Sequence, residues 1–398
     1  MRKKESLANY TLMHKDTPVT NLEIIERTGT ILKIANIHNL SHAPIGTLNQ
    51  SQNHTRALRT WFNDRTIPRS RQNLNQIDFY HDLNIISPTA LSLRNYGLSL
   101  SDQYWFKPVE TNISWSSINF FQNRFSNDVG DALFGETGTI SSMNLNSPDI
   151  TTDGWLQKRW MIQDGKQALI KAGSSPFEQE AYNEEIATNI MKELKIPHTP
   201  YWVEFIDNKA YSMCNNFINE DTDLVTAWSV LNSKKKPNHK SNYQHLIERC
   251  KELGMGNVRH QLEQMVIIDC IIANTDRHWG NFGFIRDANT LAWKGFAPIY
   301  DSGTSLWHDK ESTPIHVDSR AFKRSHKDQL KLINDLSWFE PIREAKLAEI
   351  IIGTLSKHPT MSDERIEILT KATSRQMDCV IQRKLKLTPK SIPVTKVY

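Results

Sequence analysis

Residues 262–272, LEQMVIIDCII, constrain the fold of this 398-residue chain more than any other stretch. Read as a helix, they are apolar on almost every face, so that helix belongs inside a core and not on a surface. Asp269 sits within this run, where a carboxylate is costly unless it is paired. It is therefore expected to hold backbone amides or Arg277 in the segment that follows. That segment, NTDRHWGN at 274–281, is polar and irregular, and APIYDSG at 297–303 comes after candidate strands at 282–286 and 291–293.

The two polar segments supply a carboxylate at Asp276, an amide five residues on at Asn281, and a second carboxylate at Asp301. Phosphoryl transfer from ATP needs such a set. One carboxylate accepts or orients the acceptor hydroxyl, and an amide with another carboxylate holds Mg²⁺ against the triphosphate. Asp276 is the candidate for the first role, Asn281 and Asp301 for the second. His278, in a loop already provided with Asp and Asn, reads as structural.

A cation for the phosphates is sought upstream. WLQKRWMI and QALIKA read as two strands joined at Asp164 and Gly165, which places Lys171 at the end of a hairpin. Residues 177–194 carry Tyr182, Ile186, Ile190 and Leu194 at steps of four, an amphipathic helix closed by Pro197. Helical period puts Glu185 opposite the apolar stripe and Glu184 at its border, with Glu180 one turn earlier. Glu184 is the expected partner of Lys171 and Glu180 the alternative. Strands YWVEFI and AYSMC then lead to Cys214 and Asn215, where backbone groups are expected to meet adenine. The loop 147–154, SPDITTDG, is the candidate phosphate cover. Gly154 is its only glycine, so Ser147, Thr151, Thr152 and backbone N–H groups are the expected contacts.

Composition narrows the setting. A formal charge of +4 does not point to direct nucleic-acid binding. Four well-separated cysteines form no metal or disulfide pattern and suit a reducing, cytoplasmic compartment. The longest apolar run, 265–273, is too short to insert in a membrane, and the basic start is not followed by a signal-like apolar stretch. Residues 1–145 suggest strands over 24–34 and 30–37, a helix over 51–65, and a solvated basic cluster of Arg65, Arg69 and Arg71. The aromatics Tyr104, Trp105, Phe106, Trp115, Phe120 and Phe121 are expected to form core toward the next segment. Residues 233–242 read as an exposed basic linker, 321–336, 339–355 and 361–387 as helices, and the tail as frayed.

IKAG with Lys171, QEAYNEE, NTDRHWGN and APIYDSG together resemble the HipA-like kinases over roughly 147–355, and DRHWGN is also similar to the DRHxxN loop of phosphoinositide kinases. The resemblance implies an α+β, two-lobed protein-kinase-like fold: an N-terminal accessory domain (1–145), a small β-rich lobe (146–217) and a large helical lobe (218–398). It implies ATP and Mg²⁺ as cofactors, Asp276 as catalytic base position, Asn281 and Asp301 as metal ligands and Lys171 as the ATP lysine. Family members phosphorylate Ser or Thr of proteins, and some are toxins restrained by a small DNA-binding antitoxin. A lipid or small-molecule kinase, a nucleotide-binding pseudokinase and a DNA-associated regulator are the rival readings. The region containing LSLSDQYWF and DVGDALFG is not matched to the toxin's own N-terminal module.

Overall fold

The computed structural model describes residues 6–48, 53–71, 87–135 and 143–388; the tail beyond 388 and the first two residues of the expected 51–65 helix lie outside them. Strands β1 (Leu7–His14), β2 (Thr17–Ile25) and β3 (Thr30–Ile37) form an antiparallel meander. The alternation read through 24–34 is broken because the chain reverses at Gly29, whose φ is +64° and where a Cβ would meet the Thr89 backbone at 2.5 Å. Asn53 caps α1 (His54–Asp64), which lays Leu58 and Phe62 on this sheet. After the short helix α2 (Pro88–Leu93), β4 (Tyr104–Pro108) pairs with the free side of β1 to give the order β3–β2–β1–β4.

Successive β4 side chains point to opposite faces. Tyr104 and Phe106 join the core beneath the meander, while Trp105 joins Met13, Trp115 and Phe120 in a cluster that reaches Trp160 of the next sheet. The aromatic stretch is thus divided between two cores. Of the basic cluster, Arg69 is exposed as its sequence suggests, but Arg65 and Arg71 are not solvated. Arg65 is buried against Asp102, and Arg71 is buried with its guanidinium on backbone carbonyls. Helix α3 (Asp128–Leu133) closes this part of the chain.

A second antiparallel sheet, ordered β5–β6–β8–β7, contains β5 (Lys158–Gln163), β6 (Lys166–Ala172), β7 (Tyr201–Ile206) and β8 (Lys209–Asn215). The β5–β6 turn has positive φ at both Asp164 and Gly165, as a two-residue hairpin twisted with its strands requires. Helix α4 (Glu180–Glu193) follows β6 and packs on β7 and β8. A third sheet joins β9 (Thr222–Thr226), β10 (Gly283–Asp287) and β11 (Trp293–Phe296).

Between β9 and β10 lie α5 (Ala227–Asn232), α6 (Asn242–Glu252) and α7 (Val258–Ile271). Helix α7 is the centre of the largest core. Leu262, Met265, Val266, Ile267, Ile268, Cys270 and Ile271 are all buried, which is worth on the order of 10 kcal/mol of gross transfer energy before chain entropy is subtracted. Around it pack α8 (His326–Leu330), α9 (Glu344–Leu355) and α10 (Asp363–Leu387). The stretch 321–336 is helical only over α8. Ser325 caps it, and beyond it Ile333, Leu336 and Phe339 are buried from irregular backbone, with the Asn334 N–H on the Glu263 carboxylate at 3.2 Å.

Candidate active site

Helix α7 ends where Ala273 turns to positive φ. Asp269, buried in its last turns, accepts from Asn274 Nδ2 at 3.0 Å and from Arg277 Nε and a terminal guanidinium nitrogen at 3.0–3.2 Å. Arg277 is wholly buried. Its remaining donors reach the carbonyls of Asn281 (2.8 Å) and Tyr300 and the hydroxyl of Ser302 (3.0 Å). One guanidinium therefore fastens both polar segments to the core helix. The Asp301 segment is also held from α4, whose Asn183 amide donates to the carbonyls of Gly303 (2.9 Å) and Ser305 (2.8 Å). Gly303 suits that contact, because a Cβ there would press on Glu180 backbone oxygen at 3.2 Å.

On this frame Lys171 lies between two carboxylates, with Nζ 3.2 Å from Glu184 Oε1 and 2.6 Å from Asp301 Oδ1. The second Glu184 oxygen accepts from the Ser302 N–H at 2.9 Å. Glu180 is engaged elsewhere, on the Ser174 N–H at 3.0 Å, and Glu185 accepts from the Val203 N–H at 3.0 Å. Burial opposes the Lys171 charge, but Asp301, Tyr201 and Glu184 outweigh it and hold the amine well above its ordinary range. Asp301 is held below the usual carboxylate range because Lys171 and Lys158 overcome its burial. It adopts φ +57°.

Asp276 and Asn281 share a loop in which the Asn281 Nδ2 donates to the Asp276 carbonyl at 3.0 Å. Asn281 Oδ1 accepts from no donor among the described residues. The Asp276 carboxylate is half buried; desolvation raises its pKa, against His278 and Arg320. Arg320, itself exposed, approaches Asp276 Oδ1 at 2.5 Å. His278 Nδ1 accepts from the Gly280 N–H at 3.1 Å, which shapes the loop.

The other sequence candidates lie around this centre in different ways. Thr151 is buried and donates to the Leu98 carbonyl at 2.6 Å, which ties the loop to the N-terminal region, and Thr152 donates to the Pro148 carbonyl at 2.8 Å within the loop, so both hydroxyls are engaged on backbone. Gly154, at φ +96°, lies against Lys158; a Cβ there would come within 2.3 Å of Nζ. Cys214 pairs across the sheet with Leu169 and Tyr201, and burial pushes its thiol up to about 11. Asn215 is exposed at the end of β8, and Phe217 beyond it meets the Tyr300 ring at 5.4 Å.

Four further residues border the site. Tyr201 OH lies 3.5 Å from Lys171 Nζ and accepts from the Asp301 N–H at 3.4 Å. Arg320 and Arg71 arrive from distant segments. Lys158 is directly opposite Lys171 in the β5–β6 ladder, and the sequence held that signal: a hairpin turning on Asp164 and Gly165 pairs 163 with 166 and, five steps on, 158 with 171. Two buried lysines opposite one another repel, and burial drives the Lys158 amine down to about 7. Such a pair suits a polyanion. Asn281 and Asp301 offer one amide and one carboxylate, and no group of three or more His, Cys, Asp or Glu that could by itself hold a metal ion exists among the described residues. That donor set fits Mg²⁺, which commonly takes one or two carboxylates and completes its shell with phosphate and water.

Residues 149–362, more than half the chain, match the family described as the HipA-like C-terminal domain. The chain belongs to this HipA-like family. The resemblance carried by the Lys171, Asp276–Asn281 and Asp301 segments is thereby confirmed. The serine/threonine-protein kinase CtkA of Helicobacter pylori strain J99 is 24% identical over 132 residues, covering 32% of this chain and 40% of that relative. The crystal structure of Helicobacter pylori CtkA shares 19% identity at a TM-score of 0.46, over 58% of this chain and 94% of that one. HipA of Shewanella oneidensis MR-1, solved with HipB and operator DNA, has 11% identity and a TM-score of 0.56 over 94% of this chain and 97% of that one. This last likeness is one of fold, and it extends well beyond the family match into the N-terminal region. At the level of the family the chain is kinase-like. No helix among the described residues is long and apolar enough to cross a membrane.

Proposed function

We propose that this HipA-like chain is an ATP- and Mg²⁺-dependent kinase that transfers the γ-phosphate to Ser or Thr hydroxyls of a protein. Its organisation would be two-lobed, with an accessory domain over 1–145, a small lobe over 146–217 and a large helical lobe over 218–398. The observation that carries the reading is the buried Lys171 held at once by Glu184 and Asp301, beside a loop presenting Asp276 and Asn281. Bound Mg²⁺ would supply charge neutralisation at the phosphates, with Asn281 Oδ1 and Asp301 as its protein ligands. Lys171, released in part from Asp301, and Lys158 would face the phosphates. Asp276 would orient the acceptor hydroxyl and take its proton. Adenine would meet backbone around Cys214 and Asn215. Catalysis is then positioning plus electrostatics.

A small DNA-binding partner in the cytoplasm is proposed on the fold likeness to a HipA solved with HipB and DNA. The test of the kinase reading is label transfer from radiolabelled ATP with Mg²⁺, alone and with a bacterial lysate, beside Asp276→Asn. Labelled protein that falls by about 10²–10⁴ in the variant, with MgATP affinity kept, is the expected result. Label on lipid or metabolite alone would replace the protein acceptor with a small one. Mg²⁺-dependent ATP binding without any turnover would make the chain a nucleotide-binding regulator.

A further inference from the structure

Residues 151–157 contain one glycine, so the loop beside the two lysines cannot follow a phosphate through backbone latitude alone. Its shape is imposed from outside. Arg71, only 2% exposed, donates to the carbonyls of Thr152, of Asp153 at 3.1 Å and of Leu156 at 3.1 Å. Asp149 and Asp153 compensate its charge at longer range, while burial draws the guanidinium down to about 10. A second tie, from the Ile67 N–H to the Ile150 carbonyl at 2.9 Å, anchors the start of the same loop to the same segment.

In a trans peptide the C=O and N–H point in opposite directions. Carbonyls drawn to Arg71 therefore turn the N–H groups of Asp153, Gly154 and Gln157 away from it. The Gly154 N–H closes on the Asp153 side chain at 2.6 Å. Those of Asp153 and Gln157 meet no protein acceptor among the described residues. Beside them the Lys158 ammonium rests against Gly154. Unpaired backbone donors and an ammonium in one place form a cradle for an anion.

We propose that Arg71 is the positioning residue of the nucleotide loop, fixing the 152–156 backbone so that the N–H groups of Asp153 and Gln157 receive nucleotide phosphate oxygens. The inference rests on the kinase reading above. Arg71 touches no substrate; it does from the N-terminal segment what glycines do in a loop free to wrap a phosphate. It also lies outside the 149–362 family match, so that segment alone lacks the group that shapes its phosphate cradle.

The test compares binding of Mg²⁺·AMP-PNP and of adenosine to the full chain, in wild type, Arg71→Gln and Arg71→Lys, with thermal melts alongside. Wild type should prefer AMP-PNP. In Arg71→Gln the AMP-PNP Kd should rise by about tenfold or more, as expected for losing donors that act through several hydrogen bonds, while the adenosine Kd stays put. Should Arg71→Gln give no cooperative melt, Arg71→Lys is read in the same way, because one ammonium cannot span three carbonyls. An unchanged AMP-PNP-to-adenosine ratio in a variant that melts cooperatively overturns the inference and leaves the kinase reading standing; so does an equal weakening of both ligands. A wild-type chain that does not bind AMP-PNP at all removes the kinase reading itself, and Arg71's role with it.

Discussion

Glu184→Gln tests the electrostatics at the centre of the site with almost no change in shape. Both oxygens of Glu184 face donors: Lys171 Nζ at 3.2 Å and the Ser302 N–H at 2.9 Å. A glutamine has only one acceptor oxygen, so in either flip its NH₂ is turned toward an N–H or an ammonium. Burial raises the Glu184 carboxyl above its ordinary range, against the pull of Lys171. The geometry nonetheless calls for the ionised form, since a protonated oxygen would have no acceptor to meet. One charge-assisted hydrogen bond is worth about 1.5–3 kcal/mol, and a buried donor left unsatisfied costs about 1–3 kcal/mol. Asp301 still compensates Lys171 in the variant, which keeps the loss below the full cost of an orphaned buried charge, about 3–5 kcal/mol. Glu184→Gln should therefore lower unfolding free energy in urea by about 2 kcal/mol. It should also weaken Mg²⁺·AMP-PNP binding, because Lys171 moves wholly onto Asp301. A loss under about 0.5 kcal/mol with unchanged nucleotide affinity would mean that Glu184 is neutral in the folded chain and holds Lys171 by no ion pair.

Asp269→Ala leaves the buried Arg277 without its carboxylate, and should cost about 3–5 kcal/mol in urea unfolding; a loss near zero would show that the carbonyls of Asn281 and Tyr300 suffice. Lys158 gives a pH signature. Its folded pKa, pushed down to about 7 by burial and by Arg71 and Lys171 against Asp301 and Asp153, lies below its unfolded value, so the unfolded chain binds more protons above pH 7 and this group adds stability as pH rises from about 7 toward 10. Phosphate favours the charged amine, so MgADP affinity should fall by up to about tenfold per pH unit above 7. Lys158→Met should flatten that slope in calorimetric titrations, and a slope unchanged by the substitution would refute the assignment.

What could be read from the sequence was what is local. The Asp164–Gly165 turn, the four-residue apolar steps of α4 and the unbroken apolar run of α7 each declare themselves within a dozen residues, and the loop from Asp276 to Asn281 carries its chemistry in adjacent side chains. The partner of Asp269 was legible for the same reason, because a carboxylate in an apolar helix needs a cation within reach. Lys158 was present in the hairpin arithmetic but needs the register to be applied. Arg71 and Arg320 reach the site from about 80 and 40 residues away, and no periodicity encodes such a contact. Of the basic cluster only Arg69 is exposed as its sequence suggests; burial of Arg65 depends on Asp102, and that of Arg71 on carbonyls, which have no side-chain signature. In 321–336 the apolar count suggested helix, whereas tertiary packing of Ile333 and Leu336 overrode propensity.

Apart from Arg320, the distant contacts share one direction: they run from the N-terminal residues into the site's own supports. Besides Arg71, the buried Asp223 of β9 lies 3.0 Å from His14 Nε2 of β1, and accepts from the Gln103 N–H at 3.0 Å and from Arg286 of β10 at 3.1 Å. Arg286 in turn donates to Tyr104 of β4 at 2.7 Å. His14 and Arg286 outweigh burial and hold Asp223 below the ordinary carboxylate range. A polar network of this kind is stabilising only when every member is present. The first sheet is therefore bonded through buried charge to β9 and β10, and β10 begins two residues after Asn281. Placement of Asn281, orientation of the 152–156 carbonyls and the N-terminal sheet are then a single mechanical problem.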